Sequence, residues 1–301
     1  MIDYRLLEAF AAVLDLGGFE RAADGLGLTQ SAVSQRVKAL EDEMGRMLVV
    51  RDTPPRPTPA GERILRHYRQ VSELEKDATR DLGIRDESGF RRLPVAVNAD
   101  SLSVWFLDAV APFLLDERVA LELLVDDQEQ TLRFLRSGAA AGAISSEVQA
   151  VQGFRRVALG AIRYRLVATP AFIRRWFPGG FDRDSAGRAP IIHFNRADGL
   201  QLRALERAFG EPRVKPPAHY VPSTDKLAEA VRLGLGYAMM PEAQASRELG
   251  DGRLVELDER CRFETPLHWY YWNRPSEPLE RFTEALVSGA TRLLGPTLRR
   301  W

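Results

Sequence analysis

The tripeptide Gly27-Leu28-Thr29, set between two short helical patterns, constrains the N-terminal segment more than any other feature of the chain. Glycine permits the left-handed turn that ends one helix, and the threonine hydroxyl can cap the next by accepting a backbone N–H. Upstream, Leu6, Leu7, Phe10, Val13 and Leu14 fall at the three-and-four spacing of a helix with one buried face over 6–16, closed by Gly17-Gly18. A second helix is predicted over 19–26 and a third over 30–44, the last burying Val33, Val37 and Leu40. Helices this short and close must share one small core, the arrangement of a helix-turn-helix. The stretch 48–59 opens on the β-prone Leu48-Val49-Val50 and then carries Pro54, Pro55, Pro57 and Pro59, so a short strand pair with a stiff tip, a wing, is expected.

From Ala60 the pattern is helical again, with Ile64, Tyr68, Val71, Leu74 and Leu82 forming a narrow apolar stripe among charges. A solvated helix with one such seam meets another helix, so this stripe is expected to pair two chains. Beyond a charged, glycine-containing stretch at 85–92 the character changes to strands alternating with helices: strands at 93–98, 121–125, 141–145, 165–168, 190–194, 219–221, 237–240 and 268–272. That order predicts an α/β unit with a largely parallel sheet and two similar lobes. The boundaries that follow are a winged helix-turn-helix over 1–60, a linking and dimerising helix over 61–90, and an α/β unit over 91–301. Its first lobe spans about 91–164 and 269–301, its second about 165–268.

Composition narrows the classes. At 301 residues and 45% apolar content the chain is neither disordered throughout nor limited to one small core. Formal net charge is zero, so contact with nucleic acid has to come from a few placed cations and not from a basic surface. One cysteine, Cys261, leaves no internal disulfide, and Glu8 and Asp15 interrupt the first apolar stretch, so the cytoplasm is expected. No run approaches the roughly 20 uncharged apolar residues of a membrane span. The four histidines, His67, His193, His219 and His268, lack metal-ligand spacing. Gly234-Leu235-Gly236 precedes a strand and lacks a third glycine, so it is no dinucleotide loop.

In a helix-turn-helix the second motif helix enters the major groove, where its polar side chains meet base edges and phosphates. Here Thr29, Gln30, Ser31, Ser34, Gln35, Arg36 and Lys38 occupy those positions. Gln can pair with adenine and Arg with guanine, while the serines and Lys38 suit phosphates. Arg51 and Arg56 flank the proline-rich tip, where a wing tracks the minor groove or backbone. The plainer reading of the same residues is a solvated helix face. An enzyme or a small-molecule-binding α/β protein without regulatory DNA binding is the alternative, and it leaves 1–60 without a purpose.

These residues resemble a family. Thr29-Gln30-Ser31-Ala32-Val33-Ser34-Gln35-Arg36-Val37-Lys38-Ala39-Leu40-Glu41, followed by Gly45, Leu48, Arg51 and Pro57-Thr58-Pro59-Ala60-Gly61, is similar to the N-terminal signature of LysR-type transcriptional regulators. The resemblance covers the whole chain. Gly18-Phe19-Glu20-Arg21-Ala22-Ala23, Pro54-Pro55-Arg56-Pro57-Thr58 and Val97-Asn98-Ala99-Asp100-Ser101-Leu102 look like its arginine- and lysine-responsive branch, whose members activate basic-amino-acid exporter genes. Gly18 stands where a serine cap is usual, and Val49-Val50 replaces a Phe-containing pair; both departures fit the branch.

The resemblance implies a two-lobed, periplasmic-binding-protein-like domain with a small-molecule effector, lysine or arginine, in its cleft. It implies no other cofactor and no catalysis. It also implies double-stranded DNA as partner, contact with RNA polymerase, and a homodimer or a tetramer built as a pair of dimers. Suitable parts lie at predicted strand ends: Asn98, Asp100 and Ser101 in the first lobe, Ser223, Thr224 and Asp225 in the second, and Ser145 at the rim. A cationic effector needs a carboxylate, and among Asp100, Asp126, Asp127, Glu129 and Asp225 the expectation favours Asp126 or Asp127, which follow a strand directly. Asp and Ser at such ends also serve as ordinary helix caps.

Overall fold

The computed structural model describes residues 2–81, 89–126, 131–149, 151–210, 215–273 and 276–294. Helices α1 (Tyr4–Asp15), α2 (Phe19–Leu26) and α3 (Gln30–Met44) follow the apolar spacing. Gly27 ends α2 at a φ of 65°, and the Thr29 hydroxyl caps α3 by accepting the Ala32 N–H at 3.2 Å. Leu7, Phe10, Val13, Val33, Val37, Leu40 and Leu48 close into one core; burying each is worth about 1.5–3 kcal/mol.

The wing is the antiparallel pair β1 (Val49–Val50) and β2 (Arg56–Pro57). Its base is tied to α3 by Glu41, a carboxylate only 6% exposed, whose Oε1 accepts the N–H groups of Leu48 at 2.7 Å and Val49 at 3.1 Å. Helix α4 (Pro59–Asp81) starts with proline where no N–H is needed, and the Thr58 hydroxyl accepts from Gly61 N at 3.0 Å. Gly61 is required by a close approach, since a Cβ there would lie 2.1 Å from the Leu48 carbonyl oxygen.

The start of α4 also packs on its own domain. Leu65 is buried in the winged core, and Ile64 and Tyr68 pack partly buried against it, so these turns contribute to their own domain. Val71 is half-buried and Leu74 is 55% exposed, which leaves them as the outward part of the stripe. Leu82 lies outside the described residues.

The α/β part begins with β3 (Arg91–Asn98), then one helical run of α5 (Ala99–Ser101), a π-helical turn (Leu102–Phe106) and α6 (Leu107–Asp116), followed by β4 (Val119–Asp126), α7 (Leu132–Arg136), β5 (Gly142–Ser145) and the long β6 (Phe154–Ala168). Next come α8 (Pro170–Trp176), α9 (Arg183–Arg188), β7 (Ile191–His193), α10 (Leu200–Phe209), β8 (Ala218–Tyr220) and α11 (Thr224–Arg232). The chain continues through β9 (Ala238–Pro241), α12 (Glu242–Gly250), β10 (Val255–Glu256), the second long strand β11 (Phe263–Trp272) and α13 (Glu277–Leu294).

Among the described residues the main sheet runs β10-β6-β11-β5-β3-β4, with β9 also on β6. Only β3 pairs in parallel, with β4 and β5; every pairing of β6 and β11 is antiparallel. The sheet is therefore mixed and not largely parallel. The reason is that β6 and β11 each cross from one lobe to the other, in opposite directions. Their ladder is interrupted where Gly160, at a φ of 129°, meets the register shift between Leu267 and His268. In the second lobe β7 pairs in parallel with β8. Among the described residues no helix is long and apolar enough to cross a membrane.

Candidate nucleic-acid interface and ligand cleft

On α3 the direction of Val33, Val37 and Leu40 defines the inward face. At 3.6 residues per turn, Ser31, Gln35 and Lys38 point roughly 130–190° away from it, and all three are exposed along with Gln30. Gln35 sits at the centre of this outward face. Ser34 and Arg36 are half-buried on its two flanks. Arg36 turns back toward α1, where Asp3 is held below the ordinary carboxylate value chiefly by its hydrogen bond to Arg5, with a smaller pull from Arg36. Thr29 is exposed but spends its hydroxyl oxygen on the cap. Arg51 lies over the Phe19 ring, 5.5 Å from its centroid, fastening the wing to the start of α2. Arg56 pairs with Asp52 at the wing tip, so part of its charge is met there.

Between the lobes lies a cleft lined by Asn98, Asp100, Tyr164, Asp198, Thr224 and Gln244, with Phe194, Leu200, Leu227, Met239 and Pro241 supplying an apolar wall. It holds about 560 Å³, its open mouth included. Only about 60 Å³ of that is free to the centre of a water molecule, so the lobes are nearly closed on one another. Asp100, at the start of the α5 run, accepts from Tyr164 Oη at 2.5 Å and from the Thr224 hydroxyl at 2.8 Å. Both of these donors are neutral hydroxyls. Beside it, Ser103 on the π-helical turn donates to Asp225 across the cleft, and Gln244 Nε2 donates to the same Asp225 oxygen at 3.0 Å. This fixes the Gln244 amide with its Oε1 turned away, and among the described residues that buried oxygen has no hydrogen-bond partner; nor has buried Asn98 Oδ1. The cleft thus offers acceptors that lack donors, which is costly unless a donor-rich guest supplies them.

Of the residues expected to meet a ligand, Asn98, Asp100 and Thr224 line the cleft, and Asp225 borders it through Ser103 and Gln244. Ser223 is the cap of α11, accepting from Lys226 N at 3.4 Å, and does not line the cleft. Ser101 is fully buried behind the lining, with no partner for its hydroxyl. Ser145 is also fully buried and accepts from Glu147 N at 3.2 Å, away from the lining. Asp126 forms an ion pair with Arg133 of α7 and is likewise absent from the lining, whereas Asp100 lines it. Asp127 and Glu129 lie outside the described residues.

Sequence reasoning missed Tyr164, Asp198 and Gln244. The last two follow the strand-end rule already applied to Asn98 and Ser223, since β7 and β9 end just before them. Asp198 is locked by the N–H groups of Phe194 at 3.0 Å and Leu200 at 2.9 Å, which makes it a loop-shaping residue of the wall. Cys261 is buried, and burial pushes its thiol up to about 12, so it stays protonated and inert.

Residues 4–62 match the family model described as bacterial regulatory helix-turn-helix protein, lysR family, and residues 87–291 match the LysR substrate binding domain. The chain belongs to the LysR family. It is a LysR-type DNA-binding transcriptional regulator. The regulator is 44% identical over 291 residues to the HTH-type transcriptional regulator ArgP of Pseudomonas aeruginosa, covering 96% of each chain. It is 38% identical over 307 residues to LysG of Mycobacterium bovis, covering 100% of this chain and 99% of that one. The crystal structure of ArgP from Mycobacterium tuberculosis matches with a TM-score of 0.87 at 38% identity, covering 100% of both chains. Full-length LysG from Corynebacterium glutamicum with bound effector Arg matches with a TM-score of 0.80 at 34% identity, covering 98% of this chain and 100% of that one. These relatives are named as regulators and not as enzymes, which sets aside the catalytic alternative. Their names agree with the branch read from the sequence.

Proposed function

We propose that this regulator senses arginine or lysine in the cleft between its lobes and, acting in the cytoplasm, controls the gene of an exporter for that amino acid. The observation that carries the reading is the acceptor-rich cleft: the Asp100 carboxylate beside the partnerless Asn98 Oδ1 and Gln244 Oε1. A guanidinium brings five N–H donors and an ammonium three, and the apolar wall suits either aliphatic stem. The relative solved with bound effector Arg supports the same chemistry. On the DNA side, α3 reads bases through Gln35, with Gln30, Ser31 and Lys38 beside it, while Arg51 and Arg56 hold the backbone. Val71 and Leu74 pair two chains, so that two recognition helices meet a near-palindromic site. A tetramer, and contact of the DNA-bound form with RNA polymerase, complete the proposal.

Calorimetry on the full-length regulator with arginine, lysine, glutamine and leucine tests it. Binding of the basic pair alone is expected. In Asp100→Asn the loss of a charge-assisted hydrogen bond, about 1.5–3 kcal/mol, weakens arginine by roughly 10–100-fold. Equal binding of all four amino acids, or an unchanged arginine affinity in the variant, would remove the assignment. A gel shift on DNA upstream of an exporter gene, with a scrambled duplex as competitor, tests the target.

A further inference from the structure

We propose that Arg69 is the positioning residue through which the cleft sets the orientation of the DNA-binding domain; this rests on the sensing reading above. Arg69 lies on α4 just beyond Leu65 and Tyr68, where the helix leaves the winged core. Its side chain is 21% exposed, and its guanidinium spans two bodies besides its own helix. Nη2 forms an ion pair with Asp15, the last residue of α1, and Nη1 donates to the Ser137 carbonyl oxygen at 2.9 Å. Ser137 is the C-cap of α7, the end of a helix where carbonyl dipoles favour a cation. The same turn sits directly on α4, because a Cβ at Gly138, whose φ is 72°, would lie 3.0 Å from Arg66 Cα. One planar fork therefore joins the winged domain, the linking helix and the first lobe.

Both ends of α7 are tied to the ends of the neighbouring first-lobe strands. The Thr131 hydroxyl donates to the Ile144 carbonyl at 2.6 Å, Arg133 pairs with Asp126 at the end of β4, and Arg136 pairs with Glu147 just past β5 at 3.6 Å. Asp126 is in register with Asn98, which lines the cleft. A shift of the first-lobe rim on ligand entry is thus carried by a short, cross-tied helix to Ser137 and on to Asp15. Lysine cannot reproduce this, since a single ammonium lacks the two-pronged geometry that meets both partners.

The test measures coupling in the full chain: operator affinity with and without saturating arginine, and arginine affinity with and without operator, for wild type, Arg69→Gln, Arg69→Lys and Asp15→Asn. Coupled sites of this kind change one another's affinity by about 5–150-fold, and the two factors must be equal. Arg69→Gln is expected to bring both factors to within about twofold of unity while arginine still binds the free protein as in wild type. Arg69→Lys should rescue little, and Asp15→Asn, an exposed carboxylate whose change spares the fold, should lower the coupling in the same direction. A wild-type coupling factor retained in Arg69→Gln or in Asp15→Asn overturns the proposal. So does loss of arginine binding in step with operator binding, which marks a general structural defect. If wild type itself binds arginine and operator independently, the sensing reading fails, and that result is visible before any variant is made.

Discussion

Glu41 offers the sharpest test of how the DNA-binding half is built. One of its carboxylate oxygens accepts two backbone N–H groups, those of Leu48 and Val49, at the first residues of the wing. At 6% exposure water cannot replace it. Glu41→Ala therefore strands two buried donors, each costing about 1–3 kcal/mol when unmet, so a loss of about 2–5 kcal/mol is expected, a large share of the stability of a small domain. Glu41→Gln keeps an acceptor oxygen in the same place and forfeits only charge assistance, so its loss should stay near 1 kcal/mol. Urea unfolding followed by circular dichroism reads the stability. Gel shift reads the consequence, because Arg51 rides on the wing base that Glu41 holds. If alanine and glutamine cost the same, the oxygen is not what matters and the accounting is wrong. If alanine unfolds like wild type, water or a rearranged loop is satisfying the two N–H groups.

Two further outcomes follow from the geometry. Gln35→Ala on the outward face of α3 should cost about 1–3 kcal/mol of operator binding and relax preference at one base pair; a set of single-base-substituted duplexes in gel shift would show an unchanged preference if Gln35 were only solvated. In the second lobe, Glu256 is held below its ordinary value of 4.5, first by its hydrogen bonds to Arg262 and then by the charge and hydrogen bond of Arg165. A depressed carboxyl adds stability at pH values above its unfolded value and loses it as pH falls through the folded one. The melting-temperature gap between wild type and Glu256→Gln should therefore be widest near neutrality and shrink on acidification; a gap that stays constant to about pH 3 would refute the ion-pair account.

The winged half was legible because its signals are local. Gly27, Thr29, Pro59 and the spacing of Val33, Val37 and Leu40 each act within a few residues, and the structure uses them in those roles. The long strands were not, because exposed Arg155 and Arg156 open β6 and hide its fifteen-residue extent. The cleft was half legible. Asn98, Asp100 and Thr224 sit at strand or helix ends that the sequence marks, whereas Tyr164 comes from the middle of β6 and reaches Asp100 only through the fold. Asp126 misled because its partner, Arg133, lies beyond a strand-to-helix connection whose path spacing cannot supply. An apolar stripe also does not say which body each residue faces, and Ile64 and Tyr68 pack partly against their own domain.

The bonds that shut the cleft also explain how a ligand would do work there. Thr224 to Asp100 and Ser103 to Asp225 bridge the lobes, while Tyr164 and Gln244 brace the same two carboxylates from within their own lobes. Each bridging bond goes to a carboxylate and contributes about 1.5–3 kcal/mol, so the closed form is held by a few kcal/mol. On the proposed reading, an amino acid entering a cleft with about 60 Å³ of room for water centres parts the lobes further. Leucine would break these bonds and, beyond the α-ammonium and carboxylate that every amino acid carries, return only side-chain contact with the apolar wall. A guanidinium returns charged hydrogen bonds to Asp100 and donors to Asn98 Oδ1 and Gln244 Oε1, atoms that have none in the closed form. On the proposed reading, discrimination and signalling then share one cause. Only a donor-rich cation recovers the cost of opening, and because it favours the opened arrangement over the closed one, its binding must move whatever the first-lobe rim is fastened to.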